Sequence, residues 1–241
     1  MTSELVATPS TEQTEPAEPG ASVLIEEEHA WSVAEALIAA GCFTVDVDMP
    51  RDRWFRWKSG VYAPCGCDCR RLNSSPGPRR LVDDALTASV RARFPEADAI
   101  VAVATAGITW AKTVADRLDL PLAYVRAEPR GPGMRLVECS PAPAQHAVLI
   151  EDVVAGGGSA RHAIEALHAE SDVRVTGVLS IANWNFPETR ARLSPWQPLY
   201  ALTGHVHLLE AARAAGLIDA RGHARLLEFY QDPATYTWPT D

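Results

Sequence analysis

The chain has 241 residues, 47% of them hydrophobic, and a formal net charge of -9. That length supports one sizeable core and not two. The acidic balance disfavours broad nucleic-acid binding, but a local phosphate pocket built from helix N-termini and loop N–H groups needs no net positive charge. No apolar run approaches the roughly 20 residues that would span a bilayer.

Residues 1–22 are rich in Thr, Ser, Glu, Pro and Ala, with no basic n-region and no apolar h-region. They read as a disordered tail and not as a secretory signal, and a cytoplasmic protein is expected. The five cysteines are an odd number in a chain of ordinary size, which argues against a disulfide framework.

Glu26 to Ala40 places Trp31, Val33, Ala34, Leu37 and Ile38 at helical spacing and stops at Gly41, so an amphipathic helix is predicted. Phe43 to Arg70, with its Trp54-Phe55-Arg56-Trp57 cluster, reads as short strands and turns forming a small hood to about residue 75. Pro76 to Phe94 is helical again. Ala99 to Ala104 is a continuous apolar run suited to a strand buried on both faces. A turn at Thr105-Ala106-Gly107 leads into a helix to Leu118, and Pro121 to Val125 is a second strand. Arg126 to Cys139 reads as a loop. Ala147 to Ile150 is a third strand with a helix from Ser159 to His168, Val173 to Ile181 a fourth, and Leu199 to Leu202 a fifth. Helices at His207 to Ala215 and His223 to Tyr230 complete an α/β pattern with a mainly parallel sheet.

The chemistry concentrates in Ala147 to Ala160. Glu151 and Asp152 follow a buried strand, and ligands of open parallel sheets bind outside the carboxyl ends of strands. Adjacent carboxylates there need hydroxyls, a cation or water as partners. Val153, Val154, Ala155, Gly156, Gly157, Gly158 and Ser159 then lead into a helix. Such a glycine run lets several N–H groups converge on one anion at the positive end of the helix. Carboxylates for ribose hydroxyls and a glycine loop for phosphate together suit a sugar phosphate. Two other phosphate signatures fail: the chain has no Gly-Lys pair for a P-loop, and counting on from Gly156 and Gly158 reaches Arg161 where a dinucleotide fingerprint needs glycine.

This segment resembles the phosphoribosyl-pyrophosphate (PRPP) signature of type I phosphoribosyltransferases. Lys58-Ser59-Gly60 with Pro64, Asp68 and Arg70, the turn Val103 to Ile108, and Tyr124-Val125-Arg126 extend the similarity towards orotate phosphoribosyltransferases. The resemblance implies a five-stranded parallel core with a hood, a homodimer, and transfer of ribose 5-phosphate from PRPP to a nitrogen base with loss of pyrophosphate, assisted by Mg2+ carried on PRPP. By the same resemblance, Glu151 and Asp152 hold the ribose hydroxyls, Ala155 to Ser159 the 5-phosphate, and Thr105, Ala106 and Gly107 the pyrophosphate. Lys58, Arg126 and Val153 join them as substrate-binding residues.

The sequence also departs from that family. Its closing loop is lysine-rich and ends in His-Gly; here Arg130 stands where the catalytic lysine is expected and Pro132 where the histidine is. Arg keeps the charge without the compact ammonium. Ala155 and Gly156 stand where a hydroxyl residue commonly meets orotate. Trp184 falls near the expected base pocket, where an aromatic ring either stacks on the base or packs in the core. Cys65, Cys67 and Cys69 either share a strand face as metal ligands or pack as small buried residues. These departures leave room for a non-orotate acceptor or a non-catalytic PRPP-binding regulator.

Overall fold

A computed structural model of the chain describes residues 23–57, 60–139, 141, 143–193, 198–233 and 235–238. The predicted N-terminal tail and Lys58 lie outside the described residues. The elements run, in chain order, β1 (Leu24–Ile25), α1 (Glu27–Ala39), β2 (Phe43–Val45), β3 (Phe55–Arg56), β4 (Tyr62–Ala63), β5 (Cys65–Cys67), α2 (Pro76–Arg93), β6 (Ala99–Val103), α3 (Gly107–Leu118), β7 (Leu122–Val125), β8 (Val137–Glu138), β9 (His146–Val154), α4 (Gly158–Glu170), β10 (Arg174–Asn183), α5 (Pro187–Leu193), β11 (Leu199–Gly204), α6 (His205–Ala214) and α7 (Ala220–Gln231).

The main sheet has the order β1-β11-β10-β9-β6-β7-β8. All its pairings are parallel except β7 with β8. The five strands expected from the sequence form its centre. Two strands of two residues each, absent from the sequence reading, extend the edges to seven. They are legible only in hindsight: Leu24–Ile25 is too short to carry a period, and Val137–Glu138 lies within the stretch read as loop.

Alternation along the strands sends side chains to two cores. Ile100, Ala102, Val148, Ile150, Leu179 and Leu202 face α1, α2, α3, α6 and α7. Val101, Val103, Leu149, Val178 and Ala201 face α4. Residues 43–67 form two separate antiparallel ladders, β2 with β5 and β3 with β4.

The strand order places the site. From β6 the chain steps one way to β7, then returns to the other side of β6 at β9 and continues to β10 and β11. The connections above β6 and β9 therefore diverge, leaving a crevice outside their carboxyl ends. There β6 turns at Ala104 to Ala106 into α3, and β9 passes through the glycine run into α4.

Candidate active site

Pairing differs on the two sides of β9. The β6 side stops at Ala102 opposite Ile150, whereas the β10 side continues through Ser180 opposite Glu151 to Asn183 opposite Val154. The sequence placed the two acids at the end of the strand; in the structure the strand runs three residues beyond Ile150's neighbour Glu151, to Val154. Tethered on one edge only, Glu151 and Asp152 border the opening. Glu151 is buried and Asp152 half-buried. Gly107 allows this approach: a Cβ there would sit 2.6 Å from the carbonyl oxygen of Ile150.

The geometry of the loop before α4 follows from its glycines. Gly157 adopts φ +71, in the left-handed region that favours glycine, and a Cβ on it would press on Leu193 at 3.1 Å. Helix α4 then starts at Gly158 with no side-chain cap. Its first-turn N–H groups therefore lack intrahelical acceptors and carry the positive end of the helix dipole.

A cavity of about 650 Å³ lies over these elements. It brings together Glu151, Asp152, Val153, Ala155, Gly156, Gly157, Gly158, Ser159, Ala106 and Trp184 from the sequence-derived set. The facing wall comes from residues 55–71, including Phe55, Arg56, Trp57, Asp68 and Arg70. Among the described residues, four of the expected set stand outside the lining. Thr105 is exposed, and Gly107 is packed beneath the Ile150 carbonyl. Arg130 pairs with Glu138 at 2.8 Å, and Arg126 approaches the same carboxylate at 3.9 Å. Arg126 and Arg130 are thus drawn to Glu138 on β8, outside the cavity lining.

Electrostatics organise the facing wall. Arg70 forms a two-pronged pair with Asp68, at 2.6 and 3.0 Å. The guanidinium holds the Asp68 carboxyl below its usual range and is itself raised. Arg70 also feels the charge of Asp152, as does Cys69. The Cys69 thiol is raised by its hydrogen bond with Cys67, whose sulfur is 3.8 Å away, and by burial. Cys65 points elsewhere, to the Tyr230 hydroxyl at 3.3 Å, and burial pushes its thiol up to about 12. The three sulfurs therefore do not converge. Among the described residues no group of three or more His, Cys, Asp or Glu side chains is arranged to hold a metal ion.

Trp184 packs in the core and also reaches the cavity. It is buried, stacks on Trp57 with centroids 6.4 Å apart, and borders the cavity. Trp57 is fixed by donating to the Cys65 carbonyl at 3.0 Å. Phe55 and Trp57, given no site role by the sequence analysis, both line the cavity. Arg192 was missed altogether. Its guanidinium reaches the Gly156 carbonyl and lines the cavity. Spacing alone gives no signal for it, because the short helix α5 that carries it was not predicted.

Comparison with known proteins agrees with this geometry. The phosphoribosyl transferase domain family matches residues 78–183. An orotate phosphoribosyltransferase of Cutibacterium acnes is 34% identical over 85% of this chain and 93% of its own length. That of Bacillus caldolyticus is 34% identical over 83% of this chain and 96% of its own. The crystal structure of orotate phosphoribosyltransferase from Aeropyrum pernix, at 24% identity, shares the fold with a TM-score of 0.64, covering 78% of this chain and 99% of that one.

Proposed function

The chain belongs to the orotate phosphoribosyltransferase family, and from that premise we propose that it transfers ribose 5-phosphate from PRPP to a nitrogen base, orotate in the first instance, releasing pyrophosphate. One observation carries this reading: two carboxylates, an uncapped helix N-terminus and a glycine loop converge on a single cavity at the switch point of the sheet. Similarity over nearly the full length of the relatives favours this reading over a non-catalytic regulator.

The geometry suits the charge changes of the reaction. Loss of pyrophosphate leaves positive charge on the ribose, and Glu151 and Asp152 sit where they hold the hydroxyls and stabilise that charge. The N–H groups of Gly157 to Ser159 take the 5-phosphate. Ala106 supplies the pyrophosphate side of the cavity, with Thr105 at its rim. The flat faces of Trp57, Phe55 and Trp184 bound the base end. Arg130 and Arg126 complete the leaving-group site when the loop closes and they exchange the Glu138 carboxylate for pyrophosphate, with Lys58 a further substrate-binding residue of this reading; closure excludes water from the reacting sugar.

The oxygen donors Asp152 and Glu151 suit a hard cation such as Mg2+, brought in largely on PRPP oxygens. When bound, that ion neutralises charge on the leaving group. A homodimer, a cytoplasmic location and a hood function for residues 43–75 belong to the same reading. The last is supported by the cavity wall those residues form. Among the described residues no helix is long and apolar enough to cross a membrane.

The test is PRPP consumption with orotate, other pyrimidines and purine analogues, run beside Asp152→Asn. Orotidine 5-phosphate formation by the native chain, with loss of PRPP binding in a folded Asp152→Asn variant, is expected. Unchanged PRPP binding in Asp152→Asn overturns the assignment of this segment.

A further inference from the structure

We propose that Arg192 is a substrate-binding residue: its guanidinium completes the 5-phosphate site, and Thr189 on the same helix positions the loop for it. This rests on the reading that the cavity takes PRPP.

Helix α5 lies against the glycine loop and latches it at two consecutive carbonyls. The Thr189 hydroxyl donates to the carbonyl of Ala155, and the Arg192 guanidinium donates to the carbonyl of Gly156. Thr189 is fully buried. In a trans peptide the N–H points opposite to the C=O. Holding these carbonyls toward α5 therefore turns the N–H groups of Gly156 and Gly157 away from it. The glycines are shaped to the latch. A Cβ on Gly156 would stand 3.1 Å from the Arg192 guanidinium, and one on Gly157 would stand 3.1 Å from Leu193.

Charge argues for the same role. A phosphate monoester brings close to two negative charges, whereas a helix N-terminus offers about half a positive charge. Other arginines line the cavity but face elsewhere. Arg70 is paired with Asp68, Arg71 donates to the Gly41 carbonyl, and Arg56 lies over Tyr62. Arg192 is the cavity arginine in contact with the loop itself. Its planar fork carries five N–H donors, so the bond to Gly156 leaves donors for phosphate oxygens beside those of the loop.

Calorimetry with ribose 5-phosphate, PRPP and pyrophosphate, on the native chain and on Arg192→Gln, Arg192→Lys and Thr189→Val, tests this. Arg192→Gln is expected to weaken ribose 5-phosphate and PRPP by about tenfold to a hundredfold, leave pyrophosphate within about twofold, and raise KM for PRPP without raising KM for the base. Arg192→Lys should recover part of the loss, since the charge returns without the fork. Thr189→Val should lose less than Arg192→Gln. Ribose 5-phosphate affinity within about twofold of native in a folded Arg192→Gln overturns the proposal. So do equal losses in Arg192→Gln and Thr189→Val, because Arg192 would then act through loop shape alone. A native chain that binds neither PRPP nor ribose 5-phosphate sinks the PRPP reading, and this proposal with it.

Discussion

Gly107→Ala is the sharpest test of how the fold builds the site. A Cβ at Gly107 would lie 2.6 Å from the Ile150 carbonyl oxygen and 3.5 Å from the Cα of Glu151. Contacts under 3.0 Å are essentially never seen, so at least ~0.4 Å of separation must be found. Both partners are backbone: the first turn of α3 and a central strand held on both sides through Ile150. No side chain can rotate away, so the overpacking cost falls at about 1–3 kcal/mol. The helix favours alanine over glycine by about 0.5–1 kcal/mol. The difference is a net loss of up to about 2.5 kcal/mol, centred near about 1 kcal/mol. For a chain of this size that centre is a fall in Tm of about 2–4 °C. Because the strain enters next to Glu151, kcat/KM for PRPP should fall as well. Gly158→Ala is the matched control: nothing lies within 4 Å of its Cβ and it too opens a helix, so its Tm should be unchanged or higher. Thermal denaturation of both variants decides the matter. A Gly107→Ala protein melting at or above the native temperature would refute the claim that α3 is pressed on β9 at this glycine.

Burial lowers the pKa of His205 to about 4, with a hydrogen bond at the Trp184 backbone opposing the shift and the nearby His207 adding to it. The folded state thus disfavours the charged ring, so this contribution is fully present above pH 6.5 and is lost as pH falls from 6.5 towards 4. It amounts to about 3 kcal/mol, and urea unfolding across that range should show a slope that His205→Gln flattens; an identical slope in the variant removes His205 as its source. Glu170, at the end of α4, accepts from the backbone N–H groups of Leu136 and Val137 at 2.9 and 3.0 Å and from Arg135. Burial opposes ionisation, yet these bonds hold its carboxyl below the usual range. Glu170→Ala leaves two donors of the β8 edge without their acceptor, costing about 1–3 kcal/mol. Hydrogen exchange at Leu136 and Val137 should accelerate, and unchanged protection there would show that the carboxylate does not hold this edge.

Much of the fold was legible because its central strands are buried on both faces. Ala99 to Val103 and Ala147 to Ile150 carry unbroken apolar runs, since one set of alternating side chains meets α3 and the other meets α4. The edges lacked that signal. The β8 pair is half polar, and its position depends on Glu170 from a helix more than thirty residues later. Strand β9 was read as ending before Glu151 because acids normally mark the end of a buried run. Its continuation to Val154 depends on pairing with β10, and a partner strand cannot be read from the local residues.

The candidate site divides along the same line. Glu151 to Ser159 was legible because one continuous segment supplies carboxylates, turn and helix N-terminus, so local chemistry and local geometry coincide. Much of the rest was not: Phe55 and Trp57 on the facing wall and Arg192 on α5 reach the cavity from segments that only the sheet topology brings together. Arg130 shows the converse. Its position in the chain matched a catalytic lysine, but Glu138 holds it at 2.8 Å on the edge strand. An ion pair between partly exposed groups is typically worth about 1 kcal/mol or less. A pyrophosphate anion with several charges can outcompete a single carboxylate for the same guanidinium, so under the proposed loop closure the pairing with Glu138 costs little to break. The sequence identifies a charge at that position; its partner Glu138 comes from β8, a two-residue edge strand with no periodic signal of its own.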